Sequence, residues 1–259
     1  MKKWKGLFQR EWLLYRSWIW GVILATLVTI FLVPVGLMKM FDWDGIYVEI
    51  ALVLTGLWVL LQSFIVLIQF CISLNQDAKR IDVWLHTPAT TGQIISSKIA
   101  FSILFEIVVF TVLGVLGITL LVASHIAELG ELILLGIYLL LLLVSNSLFL
   151  FVVVLLLWIF HMKMRHYTGK FTGFITVVVG IVSSLLWSKM LELAWMKKWL
   201  YTFEIKSTVV GKVVPKITDI PGTLEIQNLY LGSILFYAIV TILFYVIALK
   251  WFDRGVEQR

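Results

Sequence analysis

A chain of 259 residues that is 61% apolar and only 14% charged, with a mean hydropathy of +1.01, is no water-soluble domain, since those are about half apolar. The length would allow one or two soluble domains, but the apolar runs leave no room for one, and residues 1–259 read as a single all-α polytopic transmembrane domain. The net charge of +6 would suggest nucleic acid in a soluble protein; here its placement matters more, and the one cysteine, Cys71, excludes an intrachain disulfide or a cysteine-based metal cluster.

The chain begins with a basic segment carrying Lys2, Lys3, Lys5, Arg10 and Arg16. Trp4, Leu7, Phe8, Trp12 and Tyr15 recur there at helical spacing, which predicts a helix lying in the membrane interface on its aromatic face. Six spans are expected, at about 17–38, 47–74, 99–123, 132–160, 171–187 and 229–249. The fourth exceeds the ~20 residues a bilayer core requires, so it should tilt or project into water.

Six spans put both termini on one side, and the charges say which. That side collects fourteen basic residues against five acidic ones, Glu11, Asp77, Asp82, Asp253 and Glu257. The opposite side holds seven basic and nine acidic residues. The positive-inside rule then places both termini in the cytoplasm.

The longest polar interruption in the first two-thirds of the chain, residues 75–93, joins spans two and three. Asp77, Lys79, Arg80 and Asp82 alternate with Ile81, Val83, Trp84 and Leu85, which predicts a short amphipathic helix stopped by Pro88. Thr90-x-x-Gln93 reads as a capping box that starts the next helix. Such a helix either docks a soluble partner or is an ordinary interfacial loop helix.

Beyond the fifth span, Trp187, Met190, Leu191, Ala194, Trp195 and Trp199 fall on one helical face, which predicts an outer amphipathic helix before the last span. Residues 203–214 are β-branched and partly alternating, which suggests a small hairpin turning at Gly211-Lys212. Pro215 and Pro221-Gly222 interrupt any regular structure between that hairpin and the last span.

Catalytic motifs are missing. Gly169-Lys170 is followed by Phe171 and Gly211-Lys212 by Val213, so the phosphate-cradling G-x-x-x-x-G-K-[ST] loop does not occur, nor does H-E-x-x-H or G-x-S-x-G. His161-Met-Lys-Met-Arg-His166 has soft ligands, but its two cations repel a metal ion. Polar residues inside spans carry more. Glu106 lies eight residues into the third span, roughly 12 Å deep at 1.5 Å per residue, and an ionised carboxylate there costs about 2.5–3.5 kcal/mol. Gln69, at similar depth, is its expected partner, with Gln62, Ser145, Asn146 and Ser147 as further candidates for a polar interior. Glu106 either lines a wet, proton-linked path or serves as interhelical glue, and the second is preferred because no second acid is near in sequence to relay a proton.

The arrangement of basic N-terminal helix, six spans, cytoplasmic helix between spans two and three and outer helix before span six resembles the permease subunit of a type-2 ABC transporter, of the small bacterial exporter kind. Asp82-Val-Trp-Leu-His-Thr-Pro88 followed by Ile94-Ile95-Ser-Ser-Lys98 is similar to that family's Leu-x-x-Pro loop, and Phe252-Asp253-Arg254 is similar to the ending of many small members. The resemblance implies a bacterial cytoplasmic membrane protein, two permeases (homodimer or heterodimer with a paralogue) paired with separate ABC-type ATPase subunits, and ATP and magnesium held by those subunits with no cofactor in this chain. It implies an elbow helix over Lys3–Tyr15, with Trp4, Phe8 and Trp12, and a coupling helix over Gln76–Thr87, with Asp77, Lys79, Arg80, Asp82, Trp84, Leu85 and His86 docking the ATPase. The implied cargo is a peptide, toxin, antibiotic or lipid-like molecule. Two other readings compete: a non-transporting membrane sensor or immunity component, and an intramembrane enzyme, which the missing catalytic constellation disfavours.

Overall fold

The computed structural model describes residues 2–42, 47–78, 89–123, 129–202, 204–205 and 229–256, and these are almost wholly helical. In chain order they form α1 (Lys2–Leu27), a π-helical turn (Val28–Leu32), α2 (Val33–Phe41), α3 (Tyr47–Ala78), α4 (Thr91–Ala123), α5 (Leu129–Thr168), a 3-10 turn (Gly169–Phe171), α6 (Thr172–Leu191) and α7 (Ala194–Leu200). Two-residue strands β1 (Glu204–Ile205) and β2 (Leu229–Tyr230) and a last helix α8 (Leu231–Val256) complete them.

Five stretches are long and apolar enough to cross a membrane, and their surfaces agree: Leu24, Leu60, Phe64 and Phe174 are all more than 60% exposed. Large apolar side chains turned outward in such number are solvated by hydrocarbon, not water. This is a transmembrane protein. One of the five stretches, Leu129–Leu191, holds α5, the 3-10 turn and α6; as one straight rod of 63 residues it would be about 95 Å long, three times a bilayer core. It is not a rod. Gly169 takes a left-handed φ of 53°, which a glycine adopts without cost. Beyond it the chain folds back: His161 bonds Thr176 at 3.2 Å, and the backbone of Gly180 lies beside Leu157.

The N-terminal interfacial helix expected to stand apart from the first span does not. α1 passes through Arg16 and Ser17 without a break, so the basic segment and the span are one rod. The irregularity comes later, at the π-helical turn before Pro34. A proline ring crowds the carbonyl four residues back and has no amide hydrogen to give it, and the wider turn absorbs both. α2 then ends on Asp42 in the left-handed conformation, its amide bonded to the Met38 carbonyl.

Contacts divide the chain into two units. The first runs to Ser147 and has α4 as its most enclosed helix, packed against α1 and α3. Ile30, Ala51, Phe70, Leu74, Ile95, Phe101 and Phe105 form its core. The Thr90 capping box stands as expected: the Gln93 amide donates to Thr90 Oγ1 at 3.3 Å and the Thr90 amide to Gln93 Oε1 at 3.2 Å. α4 therefore starts at the cap and becomes a span with no joint between.

The second unit, from Leu148 on, contains the rest of α5, α6, α7, the strand pair and α8. Trp187 stacks on Phe236 at 5.9 Å and sits 5.6 Å from Phe149, so aromatic packing ties the three helices. The outer amphipathic helix is a correction. Trp187 belongs to α6; the backbone turns extended at Leu193, and α7 is a separate helix of seven residues. Met196 and Leu200 are its buried side chains, and Trp195 and Trp199 are exposed, as side chains resting in an interface would be; what changes is the extent of the helix, which starts at Ala194 and excludes Trp187, Met190 and Leu191. Gly232 at the start of α8 lies so close to the Trp199 carbonyl that a Cβ there would collide with it. Of the expected hairpin, Glu204 and Ile205 pair antiparallel with Leu229–Tyr230; residues 206–214 lie outside the described residues.

Candidate functional site

Within the first unit, two polar stripes face one another across α3 and α4. On α4 the stripe is Lys98, Ser102 and Glu106, each four residues after the last; on α3 it is Asp77, Ser73, Gln69 and Gln62. All seven are buried. Because the two helices run antiparallel, the stripes pair rung by rung, with an ion-pair cluster at one end and amides, hydroxyls and the Glu106 carboxyl towards the other.

The charged end is a four-residue knot that includes α1. Lys98 Nζ lies 2.8 Å from Glu11 Oε1 and 2.9 Å from Asp77 Oδ2. Arg10 reaches both Asp77 oxygens, at 2.7 and 2.9 Å, and Glu11 Oε1 at 2.9 Å. Ser73 donates to Glu11 Oε2 at 2.8 Å and receives the Lys98 ammonium at 2.5 Å. Two cations and two anions balance, so the knot carries no net charge. Lys98 and Glu11 are each about 1% exposed along the side chain, and at that depth an ion pair persists only when its remaining lone pairs and protons are also met. Ser73 and Asp77 do that.

Further along, Ser102 donates to Gln69 Oε1 at 2.9 Å, and Gln62 donates to the Glu106 backbone carbonyl at 2.8 Å. Glu106 Oε1 accepts from Ser147 of α5 at 2.6 Å. The partner expected for Glu106, Gln69, is thus a correction: it bonds Ser102 one turn away, and the carboxyl is met by Ser147 instead. Gln62 Oε1, Gln69 Nε2 and Glu106 Oε2 are buried with no hydrogen-bond partner among the described residues. The seam can therefore hold three helices together and retains unmet polar atoms in its interior.

The remaining site residues are dispersed. Asp77, expected on a charged docking rim, is turned inward to Arg10 and Lys98 and is 8% exposed. Lys79, Arg80, Asp82, Trp84, Leu85 and His86, with the coupling helix expected around them, lie outside the described residues. Trp4 bonds Ser96 of α4 at 3.3 Å and stacks on Phe8, which packs edge-on to Phe101; Trp12 is exposed. Asn146 is a second correction to the polar interior, because it and Ser145 are on the exposed face of α5. Ser145 bonds its own helix at the Leu141 carbonyl. His161, weighed as a metal ligand, is engaged with Thr176, and His166 lies against the Tyr167 ring.

Glu11 and Lys98 were counted only as surface charges in the sequence. A signal for them was present: Lys98, Ser102 and Glu106 recur every four residues, a polar stripe running into an apolar span, and Glu11 is the one acid in a basic segment. Comparison with protein-family models, with curated proteins and with solved structures gives no match for this chain.

Proposed function

We propose that this chain is the membrane-spanning subunit of an ATP-driven exporter in a bacterial cytoplasmic membrane, working with a separate ATPase subunit that holds ATP and magnesium. Its cargo is a peptide, toxin, antibiotic or lipid-like molecule. The observation that carries the reading is the knot of Arg10, Glu11, Asp77 and Lys98. The stretch that joins α3 to α4 leaves one helix just past Asp77 and enters the other at Thr91, two turns before Lys98. Both residues are locked to α1, so a push on that stretch displaces three helices as a body and does not merely flex a loop. A chain without a phosphate loop takes its energy from elsewhere, and this is the place where force from a partner is passed on best.

In this reading α5 and α6 count as separate spans, which the reversal at Gly169 supports, and with six spans the charge asymmetry assigns both termini and the α3–α4 stretch to the cytoplasmic side. Asn146 supports a second permease copy. An amide on the exposed face of a span, with no partner among the described residues, is stable in hydrocarbon only when another helix meets it. Across a two-fold axis, Asn146 can pair with its own counterpart, as donor and acceptor both.

The test is purification from native membranes under mild detergent. An ATP-hydrolysing subunit eluting with the chain supports the exporter reading. A chain that purifies without one, in membranes where its expression changes no efflux, favours the sensor or immunity reading.

A further inference from the structure

The aromatic residues of α1 point two ways. Phe8 and Tyr15 pack inward on Phe101, whereas Trp12 and Trp20 are exposed. Midway between those two indoles, about one helical turn from each and on the same face, stands Arg16. It is exposed, and its side chain has no hydrogen bond or ion pair among the described residues. Glu11 is the one acid of α1 and is buried in the knot, so the exposed face of this helix carries no negative charge.

The same face records where the membrane begins. Lys5, Gln9, Trp12, Arg16, Trp20 and Leu24 follow one another three or four residues apart, and all are exposed. Up to Arg16 this stripe is mostly polar; beyond it the side chains are aromatic and then aliphatic. The next charged residue in the chain is Lys39 on α2, also exposed, twenty-three residues on and about 34 Å along the helical path. That distance covers a hydrocarbon core of about 30 Å and leaves each cation just outside it. Arg16 therefore stands at the depth of the glycerol and phosphate groups of one leaflet.

The chemistry at that depth selects the occupant. The planar fork of a guanidinium matches the oxygens of a phosphate two at a time. Trp12 and Trp20 flank it by about 6 Å on either side along the axis, with indole N–H donors of the kind that settles at this level of a bilayer. Lys5 adds a second cation on the water side, and with no acid on the stripe nothing there answers the ammonium of a zwitterionic headgroup. A lipid of net negative charge is favoured. We propose that Arg16, framed by Trp12 and Trp20, is a binding site for the phosphate of an anionic phospholipid. The site belongs to this chain alone and requires neither an ATPase nor transport.

The experiment uses the purified full chain, without ATPase or nucleotide, in nanodiscs of phosphatidylcholine with a minor fraction of phosphatidylglycerol. Native mass spectrometry counts the lipids that stay on the chain when it is released from the disc. Phosphatidylglycerol should be retained several-fold above its share of the disc. Arg16→Gln alters an exposed side chain and should remove most of that excess. Arg16→Lys keeps the charge but loses the fork, so it should retain more than Arg16→Gln does. Lys170→Gln removes an exposed cation on another segment and should leave the excess in place, as should a large excess of inorganic phosphate. Retention in proportion to the disc, an excess untouched by Arg16→Gln, an equal loss in Lys170→Gln, or displacement by inorganic phosphate would each overturn the assignment. So would a dimer that Arg16→Gln splits, which would give this face to a second copy of the chain.

Discussion

The Glu11 carboxylate and the Lys98 ammonium meet at 2.8 Å although 87 residues separate them, both almost wholly buried, one on the N-terminal helix and one near the start of α4. The pair fixes the basic N-terminal segment to the helix on the far side of the α3–α4 stretch. Removing Lys98 alone leaves Glu11 and Asp77 to share Arg10, one buried negative charge in excess, which typically costs about 3–5 kcal/mol, whereas removing the Glu11 and Lys98 charges together leaves Arg10 and Asp77 balanced. Lys98→Met should therefore lose most of its folded yield in detergent. Glu11→Gln with Lys98→Met should melt closer to the unaltered protein than Lys98→Met does. A double-mutant cycle on melting temperatures reads the coupling; strict additivity would mean that the pair is not joined.

Glu106 is held by a single hydroxyl, and Glu106→Gln keeps an acceptor for Ser147 in the same place. That variant should fold normally and retain most export. Ser147→Ala strips the carboxyl of its partner and should lower stability by about 1 kcal/mol. A well-assembled but export-dead Glu106→Gln protein would show instead that the carboxyl titrates or lines a wet path.

Some of this was legible in the sequence and some was not, for physical reasons. The Thr90–Gln93 cap was readable because its chemistry closes within four residues. The pairing of Glu106 was not, because spacing along one helix does not say how that helix is rotated against another; Gln69 and Ser147 are both at suitable depth, and only packing chooses. The N-terminal helix was expected to end where its charges do. Those charges end at Arg16, but Arg10 is bonded to Asp77 of α3 and Glu11 to Lys98 of α4, and nothing local breaks the helix there. The Trp187–Trp199 stripe misled because a 3.6-residue period can continue on paper across Leu193, where the backbone is extended.

Asn146 leads to a test of assembly. Asn146→Leu should weaken self-association in nanodiscs by about 1 kcal/mol, roughly fivefold in Kd, without changing the melting of the monomer. Energy transfer between labelled copies measures it. Unchanged transfer would assign that face to another covering.

The charge asymmetry sets the side of each loop. In a Cys71→Ser background, Thr90→Cys and Tyr201→Cys place single thiols at exposed positions. A membrane-impermeant thiol reagent on whole cells should modify Tyr201→Cys and spare Thr90→Cys until the cells are opened. The reverse pattern would invert the topology.

The central claim is that the stretch between α3 and α4 receives force from a partner ATPase. Trp84 and Leu85 are its large apolar side chains, the kind that usually anchors such a contact when seated in a pocket. Lys79 should matter less and in a salt-dependent way, as a rim charge does. The most direct measurement is ATP hydrolysis together with pull-down of the ATPase on the same detergent samples of the unaltered and Trp84→Ala chains. Loss of about 2 kcal/mol or more of affinity, some thirtyfold, with loss of permease-stimulated hydrolysis, is the expected result. Undiminished association with undiminished stimulated hydrolysis would contradict the account and leave the stretch between α3 and α4 an ordinary interfacial connection.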